Sequence, residues 1–245
     1  MRHKLFLLIV LVFGWNYLLL SQSILVAIGP ISQYTKPINP IVKGTNVTKY
    51  NSDIVHAITY EHFLPKSQIS LLTSFSRYEG NTAIGFDIGG ASNGNGQILS
   101  STGFTGVKVN IFNIGAGYNL LKKVKKIYLR PTLSFGIQVS NPNGYKVLND
   151  FLISGPDYVE IDISSESKET VQIVPSFGFK TGIVLWKRID IGLNFYGVLG
   201  HKYYQKLIFK YEYKGVPQAD GIFGSNGTGY GYSLGIGYRF AKFIR

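Results

Sequence analysis

The sequence contains no cysteine and, beyond its first 20 residues, no long apolar run. Without cysteine there can be no disulfide scaffold, no thiolate metal site and no cysteine nucleophile. The lack of apolar runs argues against a helical membrane protein, because each helical span needs about 20 apolar residues. Charged residues are also scarce, at 16% of the chain, whereas soluble domains have roughly 25%. The composition therefore favours neither a helical membrane protein nor an ordinary soluble domain.

Glycine (29) and tyrosine (17) are abundant instead, and the net charge is +12. A basic chain can bind nucleic acid, but here the cations cluster in short segments between apolar stretches. These cations are Lys122, Lys123, Lys125, Lys126, Lys187 and Arg188. Such clusters suit anionic lipid head groups beside a bilayer. We therefore expect a membrane surface as partner, and no nucleic acid.

Residues 228–240 have the clearest pattern in the chain. The even positions are bulky (Thr228, Tyr230, Tyr232, Leu234, Ile236, Tyr238, Phe240), and the odd positions are small until the last one (Gly229, Gly231, Ser233, Gly235, Gly237, Arg239). A period of two predicts a β-strand. A glycine-lined face suits the crowded inside of a narrow closed barrel, so we expect the bulky face to meet lipid. The alternative is a soluble lipocalin-type barrel, whose bulky face would point inward.

The N-terminal residues 1–21 have the features of a secretory signal peptide. Arg2 and Lys4 precede an apolar run from Leu5 to Gly14, and Ser21 supplies a small residue before a cleavage point at Gln22. A retained anchor helix is the alternative. Removal of this segment would lower the net charge from +12 to +10. Residues 22–245 are then one domain, a β-barrel.

Alternating segments predict eight strands in an all-β, transmembrane, antiparallel up-and-down barrel. Long polar loops (35–52, 80–103, 141–169 and 215–227) alternate with short turns near residues 65, 124 and 187. Long connections on one side and short ones on the other are typical of outer-membrane barrels with both termini in the periplasm. Residues 188–214 are interpreted as one strand that projects from the membrane. Splitting 80–103 or 188–214 would give ten strands.

Three strands carry irregularities. Apolar residues lie at odd positions before Phe112 and at even positions after it, which predicts a β-bulge there. Pro30 predicts that the first strand is an edge strand or bulged, because proline has no N–H to donate. Pro131 interrupts an otherwise regular strand, and the sequence offers no reason for it.

The chain resembles small bacterial outer-membrane β-barrel proteins of the porin-like group. The resemblance rests on the hairpins ITYEHFLPKSQISL (58–71) and IGAGYNLLKKVKKIYLRPTLSFG (114–136) and on the final GYSLGIGYRF (231–240). It implies location in the bacterial outer membrane, with lipids and lipopolysaccharide as neighbours. In that family a terminal aromatic residue is a signal to the barrel-assembly machinery. Phe240 matches it by position, although residues 241–245 follow.

Six charged residues are predicted to face the lumen from different strands. They are Glu61, Lys108, Arg130, Lys180, Asp190 and Arg239. Such a set can neutralise itself and fill a narrow barrel, because eight strands leave an interior that side chains can fill. It can also form an ion-selective pore. With four cations and two acids, an open lumen would favour anions.

Four aromatic residues lie at strand ends beside short turns, namely Tyr118, Trp186, Tyr238 and Phe240. They are predicted to form a girdle at the head-group level; ordinary sheet packing is the alternative. His56, His62 and His201 are the histidines of the mature chain, and none has a partner pattern that predicts catalysis. No catalytic residue, metal site or cofactor is predicted.

The sequence thus favours a non-enzymatic barrel with a structural, adhesive or binding role carried by long extracellular loops. A narrow channel for small solutes or ions is the second hypothesis. A barrel enzyme that acts on lipid or peptide is the third.

Overall fold

A computed structural model describes residues 22–39, 45–50, 52–64, 67–92, 98–121, 126–148, 151–153, 159–213, 215–217 and 219–240. The predicted signal peptide lies outside the described residues. So do the central residues of the turns predicted near residues 65 and 124. The described residues contain no helix that is both long and apolar enough to cross a membrane.

The described part of the chain consists of β-strands that pair antiparallel throughout. They are β1 (Gln22–Asn39), β2 (Thr45–Tyr50), β3 (Ser52–Phe63), β4 (Ile69–Ser92), β5 (Ile98–Tyr118), β6 (Ile127–Leu148), β7 (Phe151–Ile153), β8 (Val159–Ser167), β9 (Thr170–Leu185), β10 (Ile189–Val198), β11 (Gln205–Tyr213), β12 (Val216–Pro217) and β13 (Gly221–Arg239).

Eight of these strands close into a barrel, in the order β1, β3, β4, β5, β6, β9, β10 and β13. The last of them returns to pair with β1. At the short-turn end the Phe240 amide donates to the Gln22 carbonyl at 2.9 Å. The predicted eight-stranded antiparallel barrel is confirmed, and the ten-strand alternative is wrong.

The strands are strongly tilted. A circuit of matched pairs that leaves β1 at Gln22 and passes through each barrel strand returns to β1 at Ser32, ten residues further along. A stagger of ten residues over eight strands corresponds to a tilt of about 40°, given a rise of about 3.3 Å per residue and a strand spacing of about 4.8 Å. The barrel is therefore narrow, and its lumen is the size that side chains can fill.

The bulky face of β13 points outward, as its alternation predicted. Leu234 and Ile236 are 61% and 62% exposed, whereas Ser233, on the other face of the strand, is 3% exposed. The same holds on β1, where Val26 and Ile28 are exposed. A belt of large apolar side chains thus surrounds the barrel, which suits acyl chains and not water. The soluble lipocalin-type alternative is wrong.

The four segments predicted as long loops are mostly strand. The largest, 80–103, continues β4 to Ser92 and starts β5 at Ile98, with matched pairs as far out as Ser92 and Ile98. Segments 35–52, 141–169 and 215–227 likewise contain parts of β1, β2, β6, β8 and β13. Their glycine, serine and asparagine content is typical of loops, but pairing between hairpin arms satisfies the backbone hydrogen-bonding groups. The prediction of long loops is wrong for these residues.

Beyond the barrel the wall divides into two sheets. Matched pairs between β1 and β3 end at Ser32–Ser52, and those between β6 and β9 end at Ser140–Thr170. Further out, β1, β13, β11, β8 and β7 form one sheet, and β2, β4, β5 and β6 form the other. The projecting part is therefore built from paired strands on two sides.

The segment 188–214 is two strands and not one. β10 and β11 both pair with β13, but the chain between them leaves the ladder. There the Gly200 carbonyl accepts from the Asn226 side-chain amide at 2.8 Å and from the Thr228 hydroxyl at 3.0 Å. Gly227 opposite has a φ of 84°, which glycine adopts readily. A local irregularity between facing chains thus replaces the single long strand.

No register shift occurs at Phe112, so the predicted bulge is wrong. Pairing of β4 with β5 is unbroken from Ile69–Tyr118 to Asp87–Ser100. Val109 and Ile111 are buried inside, and Phe112 and Ile114 are exposed outside. The phase change in the sequence reflects apolar residues that move from one face to the other on a regular strand.

Pro30 and Pro131 both lie within strands of the barrel. Pro30 lies mid-strand in β1, which is flanked by β3 and β13, so the edge assignment is wrong for a closed barrel. β1 is bulged further out, with register shifts against β13 between Gln33 and Thr35 and between Pro37 and Asn39, but not at Pro30. Pro131 lacks an N–H on the side that faces β5. The Leu120 amide donates to the Leu129 carbonyl at 2.8 Å, so the backbone groups of alternate residues 129 and 131 face β5. Matched pairs of β5 with β6 end at Gly117–Thr132, so the donor that Pro131 lacks is missing where this ladder ends.

Candidate functional site

Five buried charged side chains cross the lumen near its short-turn end, and we name them the charge layer: Glu61, Arg130, Lys180, Asp190 and Arg239. Each is at most 8% exposed. The Glu61 carboxylate contacts the Arg130 guanidinium, and its Oε2 lies 3.0 Å from Lys180 Nζ. Asp190 Oδ2 accepts from Arg239 Nε at 3.2 Å and from Nη2 at 3.0 Å. The layer thus contains two ion-paired groups from five different strands.

Aromatic rings join the two groups. The Tyr128 hydroxyl donates to Asp190 Oδ1 at 2.7 Å. The guanidinium carbons of Arg130 and Arg239 lie 4.8 and 5.7 Å from the centre of the Tyr128 ring, and 4.9 and 5.1 Å from that of Phe63. Cations over aromatic faces are stabilised, more so when they are removed from water. Sequence reasoning missed Tyr128, although its inward parity matches that of Arg130.

Lys108 is not part of the charge layer, and its predicted inward direction is wrong. Its neighbours Val107 and Val109 are completely buried in the lumen, so Lys108 faces outward. It is matched with Glu79 on β4 and with Asn141 on β6, beyond the apolar belt of these strands. Apolar residues lie on both faces of β5 around Phe112. Without the strand register, the sequence therefore does not show which face points into the lumen.

Inward glycines make room for the layer. A Cβ built on Gly182 or on Gly192 would collide with the Tyr128 hydroxyl, and the one on Gly182 would also lie 2.7 Å from Tyr128 Cζ. At Gly117 a Cβ would lie 2.7 Å from Arg130 Cδ. The small face of the strands, which the sequence associated with a crowded interior, is therefore covered by large side chains from nearby strands.

Next to the charge layer the lumen contains a cavity of about 150 Å³. Its polar lining comes mainly from hydroxyl and amide side chains, among them Ser74, Asn113, Ser134, Ser176, Asn194 and Ser233. Asn113 donates to Ser74 and accepts from Ser176, each at 3.4 Å. This lining can hold water, because it offers several polar partners in a space of adequate size.

A second layer, which we name the apolar plug, fills the lumen toward the projecting end. It consists of Ile31, Val55, Tyr78, Val107, Val109, Ile111, Val174, Val198 and Tyr204, all buried. The Tyr204 hydroxyl donates to the Gln33 side-chain oxygen. The apolar residues at odd positions before Phe112 belong to this plug. The sequence analysis attributes their change of parity to a β-bulge, because it expects a polar interior.

The four predicted girdle residues all point outward near the short-turn end. Tyr118, Trp186, Tyr238 and Phe240 are 47%, 81%, 40% and 56% exposed. Tyr238 and Phe240 pack edge to face with ring centres 5.2 Å apart, and Arg188 Nη1 donates to the Tyr238 hydroxyl at 2.8 Å. Aromatic rings beside a cation, at the short-turn edge of the apolar belt, are the arrangement that a membrane–water interface favours.

The histidines are not brought together with the buried acids. His56 is exposed on the outward face of β3, and His62 has the same outward parity. His201 is exposed in the break between β10 and β11, where its amide donates to Gln172 Oε1 at 2.9 Å. Within the described ranges no three His, Cys, Asp or Glu side chains are grouped as a metal site would require.

No protein-family model matches the sequence, and no curated protein sequence matches it. Solved structures do match. The outer membrane protein OprG from Pseudomonas aeruginosa aligns over 91% of this chain and 96% of its own, with 9% identity and a TM-score of 0.50. Neisserial surface protein A aligns over 90% and 97%, with 9% identity and a TM-score of 0.42. A major outer membrane protein from Thermus thermophilus aligns over 91% and 100%, with 10% identity and a TM-score of 0.42.

At 9% identity the likeness to OprG concerns the fold. It agrees with what the barrel shows independently: eight closed antiparallel strands, an apolar belt outside and polar groups inside. This chain has the fold of a bacterial outer-membrane β-barrel protein.

Proposed function

We propose that this chain is a structural or binding protein of the bacterial outer membrane, whose task is carried by the strands that project from the membrane. The observation that supports this most is the filled lumen. The charge layer and the apolar plug are two buried layers at different depths, and each must be displaced before a solute can pass. A pore needs an open path with sites that bind and release the ion.

The length of the strands also supports an external role. A membrane-crossing β-strand needs about 9–11 residues, whereas β4 has 24 and β5 has 21. Roughly half of this hairpin therefore lies beyond the apolar belt. Paired strands offer a rigid surface on which side chains keep fixed positions, and this suits recognition of a partner.

Lipid contact is the second element of the proposal. The outward face of β4 carries Leu71 and Phe75, and then Arg77 opposite His56 of β3. Glu79 follows two residues further out. A cation at the upper edge of an apolar belt meets anionic head groups, which include the phosphates of lipopolysaccharide. We expect phospholipid and lipopolysaccharide to contact this edge of the barrel.

The third element concerns insertion. β13 ends the barrel with exposed Tyr238 and Phe240 and pairs with β1 to close it. An aromatic residue at this place is what the barrel-assembly machinery would recognise. Replacement of Phe240 by Ala should slow insertion in cells and leave refolding of the purified chain unaffected.

Planar-bilayer recording tests the central proposal. We expect no discrete current steps from the wild-type barrel at physiological salt. A variant with Tyr78→Ala, Tyr204→Ala and Glu61→Ala should conduct, because both layers are opened. Discrete steps from the folded wild type would contradict the proposal and assign the function to a narrow pore.

Shortening the β4–β5 hairpin tests the external role. Replacement of residues 83–104 by Asn-Gly joins the matched pair Thr82–Thr105 by a two-residue turn and leaves the belt and both lumen layers in place. The variant should reach the outer membrane and keep heat-modifiable gel migration. Failure of this variant to fold would show that the projecting strands serve the barrel itself.

A further inference from the structure

We propose that the charge layer binds a small monovalent anion, such as chloride, beside Arg130. The layer contains three cations and two acids, so one positive charge has no counterpart among the described residues. Both carboxylates are already used, since Glu61 meets two cations and Asp190 meets Arg239 and Tyr128. An uncompensated charge away from water is costly. A bound anion of unit charge would remove that cost.

The two arginines of the layer differ in one donor. Arg239 uses Nε and Nη2 on Asp190. Arg130 uses Nη1 on Glu61, and its Nε has no hydrogen-bond partner among the described residues although the side chain is 2% exposed. A buried guanidinium N–H without an acceptor is rare in folded proteins. The free donor of Arg130 therefore marks where an acceptor is missing.

A buried hydroxyl lies next to it. Ser70 Oγ is within reach of the Glu61 carboxylate, which Arg130 also contacts. A Cβ on Gly117 would lie 2.7 Å from Arg130 Cδ and 3.1 Å from Ser70 Oγ, so both groups approach the same point on β5. An anion at this point can accept from the guanidinium N–H of Arg130. Tyr128 and Phe63 limit the space around the guanidinium, which favours a monatomic ion over a phosphate.

Water could occupy the same place beside Arg130. Bound water and a bound anion have different effects on the stability of the barrel. Water can accept from the same donor, but it leaves the surplus charge in place. A bound halide stabilises the folded barrel in proportion to its occupancy. The difference is therefore visible in how stability depends on the type of anion at constant ionic strength.

The experiment measures the thermal unfolding midpoint of the refolded full chain in detergent micelles, in sodium chloride and in sodium gluconate of equal ionic strength. At a chloride concentration about ten times the dissociation constant we expect a midpoint about 4 °C higher than in gluconate, with saturation on titration. Bromide should act in the same way. Equal midpoints in chloride and gluconate would overturn the proposal.

Arg130→Lys keeps the charge and removes Nε, and should abolish the chloride-specific shift. Arg239→Lys is the matched control, because the Nε it removes already has a partner, and it should keep the shift. Loss of the shift in Arg239→Lys but not in Arg130→Lys would overturn the assignment. If Arg130→Lys does not fold, the wild-type titration in chloride and gluconate still decides.

Discussion

The Glu61 carboxylate lies 3.0 Å from the Lys180 ammonium, although 119 positions separate the two residues in the chain. The same carboxylate contacts Arg130. Glu61 is 1% exposed, so it neutralises two cations inside the barrel. This acid, contributed by β3, connects β6 and β9 across the lumen.

Replacement of Glu61 by Gln should destabilise the barrel by about 3 kcal/mol. The variant keeps the shape of the side chain and leaves Arg130 and Lys180 buried without their counter-charge, which costs about 3–5 kcal/mol in other proteins. Urea unfolding, followed by the loss of heat-modifiable gel migration, measures the change.

Glu169→Gln is the control, because Glu169 is exposed between β8 and β9. It should change the free energy of unfolding by less than about 0.5 kcal/mol. A Glu61→Gln barrel as stable as the wild type would show that the charge layer is not an electrostatic unit.

A second prediction concerns the contact between Gly192 and Tyr128. Gly192→Ala would place a methyl group against the Tyr128 hydroxyl, whereas Tyr128 Cζ lies 3.6 Å away. The substitution should cost about 1–3 kcal/mol. Tyr128→Phe removes the hydroxyl, so the double variant should recover at least about 1 kcal/mol of the sum of the single effects.

Gly182→Ala provides the matched comparison. There a Cβ would also clash with the Ile191 carbonyl and would lie 2.7 Å from Tyr128 Cζ. Loss of the hydroxyl relieves neither contact, so Tyr128→Phe should not rescue it. Equal rescue at both glycines would contradict the steric explanation.

The architecture was predictable because alternation along β13 depends on one physical contrast, lipid outside against crowding inside. The positions of Arg130, Lys180, Asp190 and Arg239 followed from parity on strands whose outer face is clearly apolar. Lys108 did not, because valines flank it and both faces of that part of β5 are apolar. Only the strand register shows which of these two faces of β5 points into the lumen.

A projecting strand was predicted at 188–214, but most of the strand content of segment 80–103 was missed, for a related reason. Segment 80–103 is rich in glycine, serine and asparagine, residues that signal turns when only local sequence is considered. Pairing with a neighbouring arm is a non-local property, and it decides whether such residues form strand or loop. The surplus positive charge beside Arg130 could not be predicted either, because it depends on which five charged residues are brought together by the fold.

The turn after β9 is strained, which gives a third prediction. Trp186 and Lys187 have φ of 46° and 63°, and the Arg188 amide donates to the Leu185 carbonyl at 3.0 Å. Two consecutive positive φ values are typical of a type I′ turn, for which Asn-Gly is preferred. The sequence placed this turn at Lys187–Arg188, one residue too late.

Lys187→Gly should therefore stabilise the barrel by about 1 kcal/mol, because a non-glycine residue in the left-handed region costs about 1–2 kcal/mol. Urea unfolding measures the gain. Lys126→Gly is the control, since Lys126 itself does not have a positive φ; it should bring no gain. A less stable Lys187→Gly barrel would mean that the lysine contributes more to head-group contact than its backbone costs.

The fourth prediction concerns the depth of Trp186 in a bilayer. The chain has two tryptophans, so Trp15→Phe leaves Trp186 as the one fluorophore of its kind. Trp186 is 81% exposed at the girdle, and we expect it at the head-group level. Lipids brominated near the ester end of the acyl chain should quench its fluorescence more than lipids brominated near the methyl end.

A tryptophan placed in the belt provides the comparison. In a Trp15→Phe, Trp186→Phe background, Leu234→Trp puts the ring on an outward position that is 61% exposed in the leucine form. Here the order of quenching should reverse, because β13 carries this position about four residues from Tyr238, or roughly 10 Å deeper along the tilted strand. If Trp186 were quenched most by the deep bromines, the girdle would lie inside the hydrocarbon layer. The short-turn end would then lie closer to the bilayer centre than the belt and the charged turns allow.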